Sequence, residues 1–191
     1  MYKLNSPSLP FFRFLTGAML IALMLSGCAS LWQPAPDQLT VAGCSFQPPG
    51  GWMRLSTPAY EMFSKDGPYL QYIFFQQKPL GQVFRNTRQT LDQTLLPQEA
   101  AQIVADNLRL DPKIAGFNLL ATQPATVDGH RGFKLLYTYK DRQGVTLRSI
   151  YYGVVLEHAF FNLRYTAAER HYYEKDLKAF QRMIETLHFP S

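Results

Sequence analysis

Apolar residues at 173, 177, 180, 184 and 187 recur at steps of four, three, four and three. That period draws one stripe on a helix, with Lys175, Lys178, Gln181 and Arg182 turned outward. A second helix is predicted from Pro97, a good first-turn residue, with Glu99 at the positive end of its dipole. Its stripe is Ala100, Ile103, Val104 and Leu108, and Asp111-Pro112 ends it. Elsewhere the period falls to two. Residues 60–64 and 69–77 flank Lys65-Asp66-Gly67-Pro68, a hairpin signal. In the second arm Ile73 and Phe75 oppose Leu70, Tyr72 and Phe74, so both faces call for cover by helices. Residues 117–127, 133–140, 145–156 and 159–165 read as successive strands, the last three of them the arms of an antiparallel meander. The first of them turns at Asp128-Gly129 and the second at 141–144. Residues 39–46 are predicted as one opening strand, stopped by Pro48, Pro49, Gly50 and Gly51; a short piece follows at Trp52, Met53 and Leu55. Residues 78–96 are polar and read as a long loop with room for a short helix, a first place to look for binding.

The order strand, hairpin, helix, meander, helix gives an α+β chain: an α/β/α sandwich with a mainly antiparallel sheet flanked by helices. Phe46 with Pro48, Pro49, Gly50 and Trp52, then Asp128-Gly129-His130-Arg131-Gly132-Phe133, the meander, and the closing helix with His188-Phe189 resemble the PsbP-like family over residues 40–189. The best-known member of that family is an extrinsic subunit of the photosynthetic oxygen-evolving complex. The resemblance implies the sandwich fold and an adaptor or assembly role, and it carries no catalytic signature.

The N-terminus has a different pattern. Lys3 and Arg13 precede an apolar run at 14–25, broken only by Thr16 and Gly17, that is too short for a confident membrane span. It closes on Leu25-Ser26-Gly27-Cys28, which resembles the lipobox of bacterial lipoprotein precursors. In that family the thiol, here Cys28, receives diacylglycerol, the chain is cut before it, and the new amine is N-acylated. An ordinary secretory signal or an uncleaved helix are the alternatives. The expected parts are a signal peptide at 1–27, a lipidated cysteine and tether at 28–38, and one globular domain at 39–191. Ala29, where retained lipoproteins usually carry aspartate, sets the expectation of an outer-membrane lipoprotein facing the periplasm.

Removing 27 of 191 residues leaves 164, enough for one core. Two of the 19 basic residues leave with the signal and no acidic one does, so 17 cations face 14 anions without a run of either sign. That excludes a nucleic-acid footprint and leaves the membrane and an envelope protein or peptidoglycan as partners. Cys44 is then the only remaining thiol, in an apolar stretch beside Phe46, and is expected to be buried.

Candidate chemistry is sparse. His171 and Glu174 sit three apart and are the weak candidates for a metal, which would need three or four ligands. No Gly-x-Ser-x-Gly elbow, phosphate loop or dinucleotide fingerprint occurs, so no catalytic residue and no cofactor besides the covalent lipid on Cys28 is assigned. Tyrosines and arginines crowd the meander and last helix, and Tyr137, Tyr139, Arg148, Arg164 and Arg170 are expected to form a partner surface. The function expected is a non-enzymatic, lipid-anchored envelope accessory module. An unrecognised envelope hydrolase and a small apolar-ligand or lipid carrier are the alternatives.

Overall fold

The computed structural model describes residues 31–190, and Leu25-Ser26-Gly27-Cys28 lies outside them. Strands β1 (Gln33–Pro34), β2 (Leu39–Val41), β3 (Cys44–Phe46), β4 (Met53–Ser56), β5 (Glu61–Ser64) and β6 (Gln71–Pro79) precede helix α1 (Pro97–Arg109). Strands β7 (Ala115–Val127), β8 (His130–Lys140), β9 (Thr146–Val155) and β10 (Ala159–Ala168) lead to helix α2 (Tyr173–Glu185). Eight strands form one antiparallel sheet in the order β1-β4-β5-β6-β10-β9-β8-β7, while β2 and β3 pair separately. After β6 the chain crosses through α1 to the far edge, then meanders inward until β10 closes against β6.

Alternation along the central strands builds a core on each face. Phe63, Ile73, Phe75, Phe161, Leu163 and Tyr165 point to α2, where Tyr173, Phe180 and Met183 meet them. On the other face Phe133, Leu135, Tyr137, Tyr151 and Phe160 meet Ala100, Ala101, Val104, Ala105 and Leu108 of α1. The α/β/α arrangement follows from apolar residues on both faces of the same strands, each burial of a large side chain contributing about 1.5–3 kcal/mol. The α1 N-terminus is closed by the Glu99 carboxylate, which accepts the Leu96 N–H at 2.8 Å.

Four local expectations are corrected. Residues 39–46 are not one strand: Ala42 (φ 52°) and Gly43 (φ 77°) fold them into the β2–β3 hairpin. The hairpin packs Cys44 and Phe46 into the α2-side core. Part of the predicted tether is sheet, since Gln33–Pro34 pair with β4 and the Ala35 N–H donates to Trp52 O at 2.8 Å. Residues 80–96 hold turns and no helix. They are tied by Gly81 N–H to Leu91 O (2.9 Å) and by the Asn86 side chain to Asn107 O (2.9 Å), and they bury Phe84 and Leu91 against the α1-side core. This segment covers Phe160, and its polar composition reflects only its outer side. Finally, α2 is rotated slightly from the predicted stripe. Asp176 and Met183 are buried, whereas Leu177 and Ile184 are half-buried.

The C-terminal tail returns to the meander. His188 Nδ1 lies 3.0 Å from Asp128 Oδ1, the Phe189 N–H donates to Asp128 Oδ2 at 2.7 Å, and the Phe189 ring seats 5.0 Å from that of Phe161. These bonds hold the Asp128 carboxyl below its ordinary value, the Phe189 N–H first among them. Two of the pieces of sequence that carry the family resemblance, the Asp-Gly turn and His188-Phe189, thus fasten each other.

Cys44 has no exposed surface, and burial, with Asp128 adding to it, pushes its thiol up to about 12. Its thiolate fraction at pH 8 is therefore negligible. Iodoacetamide at pH 8 should leave Cys44 unmodified in the native protein and label it fully in 6 M guanidinium, read by peptide mass spectrometry. Because the folded thiol holds its proton longer than the unfolded one, stability should decline as pH rises past the unfolded thiol's value of about 8.5.

Candidate functional site

The five tyrosine and arginine positions do not share a surface. Tyr137 is fully buried and Tyr139 is 9% exposed, so neither offers the partner face expected of it. The physical reason is that both point to the face that α1 covers, where Tyr137 packs 5.2 Å from Phe117 and 6.1 Å from Tyr139. Arg164 lies on the same face, in β10. Cross-strand pairing sets Phe74 and Tyr151 on either side of it. Its guanidinium carbon sits 5.1 Å from the Phe74 ring and 5.5 Å from the Tyr72 ring, and its Nε is buried without a hydrogen-bond partner.

Arg148 belongs to the opposite face. It stacks 4.7 Å over Tyr173 and lies 3.8 Å from Glu174 Oε1. Arg170 is exposed in the turn before α2. Beside it His171, also exposed, takes a left-handed backbone (φ 69°). Glu174 is thus directed to Arg148, and no group of three His, Cys, Asp or Glu residues is placed to hold a metal among the described residues.

The electrostatics of the Arg164 face are unusual in one respect. Burial works against the charge, and the hydroxyls of Tyr72, Tyr137 and Tyr139 outweigh it, holding the guanidinium above its ordinary value. Burial likewise pushes the hydroxyls of Tyr137, Tyr139 and Tyr151 up. At Tyr72 burial is the largest single influence, but Arg164 and hydrogen bonds with Thr166 and Tyr139 together outweigh it and draw the hydroxyl down, its oxygen lying 3.4 Å from that of Tyr139. Tyr137, Tyr139 and Tyr151 thus hold their protons more firmly than a free phenol does, and the group packs as a plug of aromatic rings round one cation.

Two polar groups escaped the sequence reading. Arg54 and Glu61 form a two-pronged pair across β4 and β5. Asp176 is buried on α2 with its Oδ2 unpartnered. A signal for the second was present: Asp176 follows Tyr173 by three and precedes Phe180 by four, inside the apolar stripe.

No protein-family model matches the chain, and no curated protein matches it. Solved structures do. The cyanobacterial PsbP of Synechocystis sp. PCC 6803 superposes with a TM-score of 0.57 at 12% identity, over 87% of this chain and 99% of that one. LpqN of Mycobacterium tuberculosis, described as involved in cell envelope biogenesis, gives 0.50 at 16% identity, over 83% and 87%. A Bacteroides thetaiotaomicron protein gives 0.53 at 10% identity over 82% of this chain, which spans only 49% of that protein's length. At these identities what is shared is the fold, and the chain has the PsbP-like α+β architecture.

Proposed function

We propose that this chain is a lipid-anchored accessory module of the cell envelope, which holds a PsbP-like domain beside a membrane for a protein or peptidoglycan partner. The observation that carries this reading is Leu25-Ser26-Gly27-Cys28 at the end of a basic-then-apolar segment. Several acyl chains on one cysteine bind far more firmly than one, because each buried methylene adds about 0.8 kcal/mol. Ala29 supports the outer membrane, periplasmic side, as the address. The folded part supports the reading in two ways. Gln33 is paired to β4, so five residue steps separate the anchor from the sheet, a reach of at most about 18 Å. The role named for LpqN supports an envelope setting for this fold. A carrier would need a deep apolar cavity; the hollow lined by Pro97, Pro124 and Phe133 holds about 270 Å³, under the roughly 300–1,000 Å³ of small-molecule sites.

The test is Cys28→Ala. The native product should carry diacylglycerol and an N-acyl chain on Cys28 by mass spectrometry and should sediment with membranes, whereas the variant should lose both. An unmodified Cys28, or a variant that fractionates like the native protein, overturns the anchor. Crosslinking in intact cells should recover an envelope protein or peptidoglycan with the lipidated form.

A further inference from the structure

We propose that the uncovered half of the α1-side sheet face, on β4, β5, β6 and β10, lies against an anionic phospholipid surface. The inference deepens the anchored-module reading above and rests on it for the place of the membrane, though not for the chemistry of the face. Eight strands make a sheet roughly 34 Å wide at about 4.8 Å per spacing, whereas a helix with its side chains is about 10–12 Å across. One helix therefore covers only part of a face. α1 packs on β7, β8 and β9. Leu55, Met62, Tyr72 and Phe74, on the strands beyond, belong to neither core and are half-buried.

Alternation puts these side chains on one surface. Phe63, Ile73 and Phe75 point to α2, so Met62, Tyr72 and Phe74 point the other way, and pairing aligns Leu55, Met62, Phe74 and Arg164 in one row across four strands. Met53, two residues before Leu55 on the same strand face, is 36% exposed. A contiguous apolar patch of this kind marks a contact surface.

Charge and position choose the occupant. Arg164 lies over Tyr72 and Phe74, Lys78 continues the face along β6, and neither cation pairs with a carboxylate among the described residues. The acids of this region turn elsewhere, Glu61 to Arg54 and Asp66 to Lys175. Burial, with the repulsion of Arg164 added, holds the Lys78 ammonium below its ordinary value, a cost that an anion placed here relieves. A second copy across a two-fold axis would bring the same cations together, so the patch does not suit self-association. The path of the chain favours lipid over a protein partner. β1 pairs with β4 at this edge of the sheet, and the tether from Cys28 reaches β1 in at most about 18 Å. From β4 to β10 is about 14 Å, so the whole face lies within a tether's length of the anchored edge. Tyr72, and Tyr60 at 4.9 Å from Phe74, supply apolar rings with polar tips, the kind of side chain that suits headgroup depth.

The full chain bearing Met62→p-benzoylphenylalanine, a position outside both cores, is placed in vesicles of phosphatidylcholine with or without phosphatidylglycerol and irradiated, and its adducts are identified by mass spectrometry. Phospholipid adducts should form at Met62, and their yield should rise with phosphatidylglycerol. The same probe at Lys178, exposed on α2, should give none. Lys78→Gln should lower the yield gained from phosphatidylglycerol about fivefold, the effect of one cation at an anionic surface, at unchanged melting temperature. The comparison of the two vesicles stands without that variant. No lipid adduct at Met62, equal yields at Met62 and Lys178, or a yield indifferent to phosphatidylglycerol overturns the proposal. Self-adducts in place of lipid adducts, or only a protein adduct on irradiation of intact cells, overturn it as well and give the face to a second copy or to a protein partner. Lipid adducts at Met62 with an unmodified Cys28 keep the face and remove the anchor; their absence beside a lipidated Cys28 keeps the anchor and removes the face.

Discussion

Gly153→Ala should destabilise the fold by about 3 kcal/mol, the top of the range for overpacking a finished core. Gly153 stands opposite Phe133 in the β8–β9 ladder, and a Cβ built there falls 2.2 Å from Phe133 Cζ and under 3 Å from both ε carbons. The Phe133 ring lies flat on the glycine, filling the place of its side chain. Its retreat is blocked on the sides of its stacked neighbours and open only toward the hollow beside Pro97 and Pro124. Tyr151 stacks beside it at 6.1 Å and 7°, Phe160 at 6.3 Å and 15°, and all three rings are at most 5% exposed. The urea midpoint should fall with the m-value unchanged. Gly50→Ala, where a Cβ meets nothing within 4 Å, should stay within about 0.5 kcal/mol. Phe133→Leu should cost less in the Gly153→Ala background than alone, since the two residues share one space. A Gly153→Ala loss below about 1 kcal/mol would mean that the ring is not seated there.

The same ring shows what the sequence could and could not reveal. Alternation at 133, 135, 137 and 139 correctly predicted a strand with one aromatic face, because period two is a local property. It could not say what lies over that face. Tyr137 and Tyr139 were therefore expected on a surface, although α1 covers them; the covering depends on a crossover that contributes nothing to the pattern in β8 itself. Arg148 and Arg164 differ by an even number of residues yet point to opposite faces, because the β9–β10 turn lies between them. Ala42 hid the β2–β3 hairpin, since alanine is a poor residue at positive φ and gives no turn signal. The two helices, the β5–β6 hairpin and the sandwich were legible because each rests on a local period or a turn dipeptide. Asp176 was overlooked because a charged residue is normally assigned to the wet side of a helix, and only its place in the stripe speaks for burial.

Arg54→Ala is expected to cost about 3 kcal/mol, the lower end of what breaking a buried ion pair costs, because Arg54 itself keeps 23% of its side-chain surface. Its partner is the buried one. Glu61 retains only 4%, and its carboxylate accepts Arg54 Nε at 2.7 Å, Arg54 Nη2 at 3.0 Å and Ser56 Oγ at 2.7 Å. Without the guanidinium a charged carboxylate is left between β4 and α2's core with one hydroxyl for company. Replacing both partners, as Arg54→Met with Glu61→Leu, should recover most of the loss, since the penalty comes from the uncompensated charge and not from the missing attraction. If Arg54→Ala and the double variant are equally unstable by urea titration, the pair is a net source of stability and this account is wrong. The effect should also be local. Glu61 and Arg54 join β4 to β5, and β4 is the strand on which β1 pairs through Arg54 and Met53. Amide exchange in Arg54→Ala should therefore quicken first at β4 and at Ala35, whose N–H bonds to Trp52 O, before it quickens in the meander. The segment freed in this way is the described one nearest Cys28, so if Cys28 is the lipid anchor proposed above, loosening a single ion pair would lengthen the tether between it and the sheet.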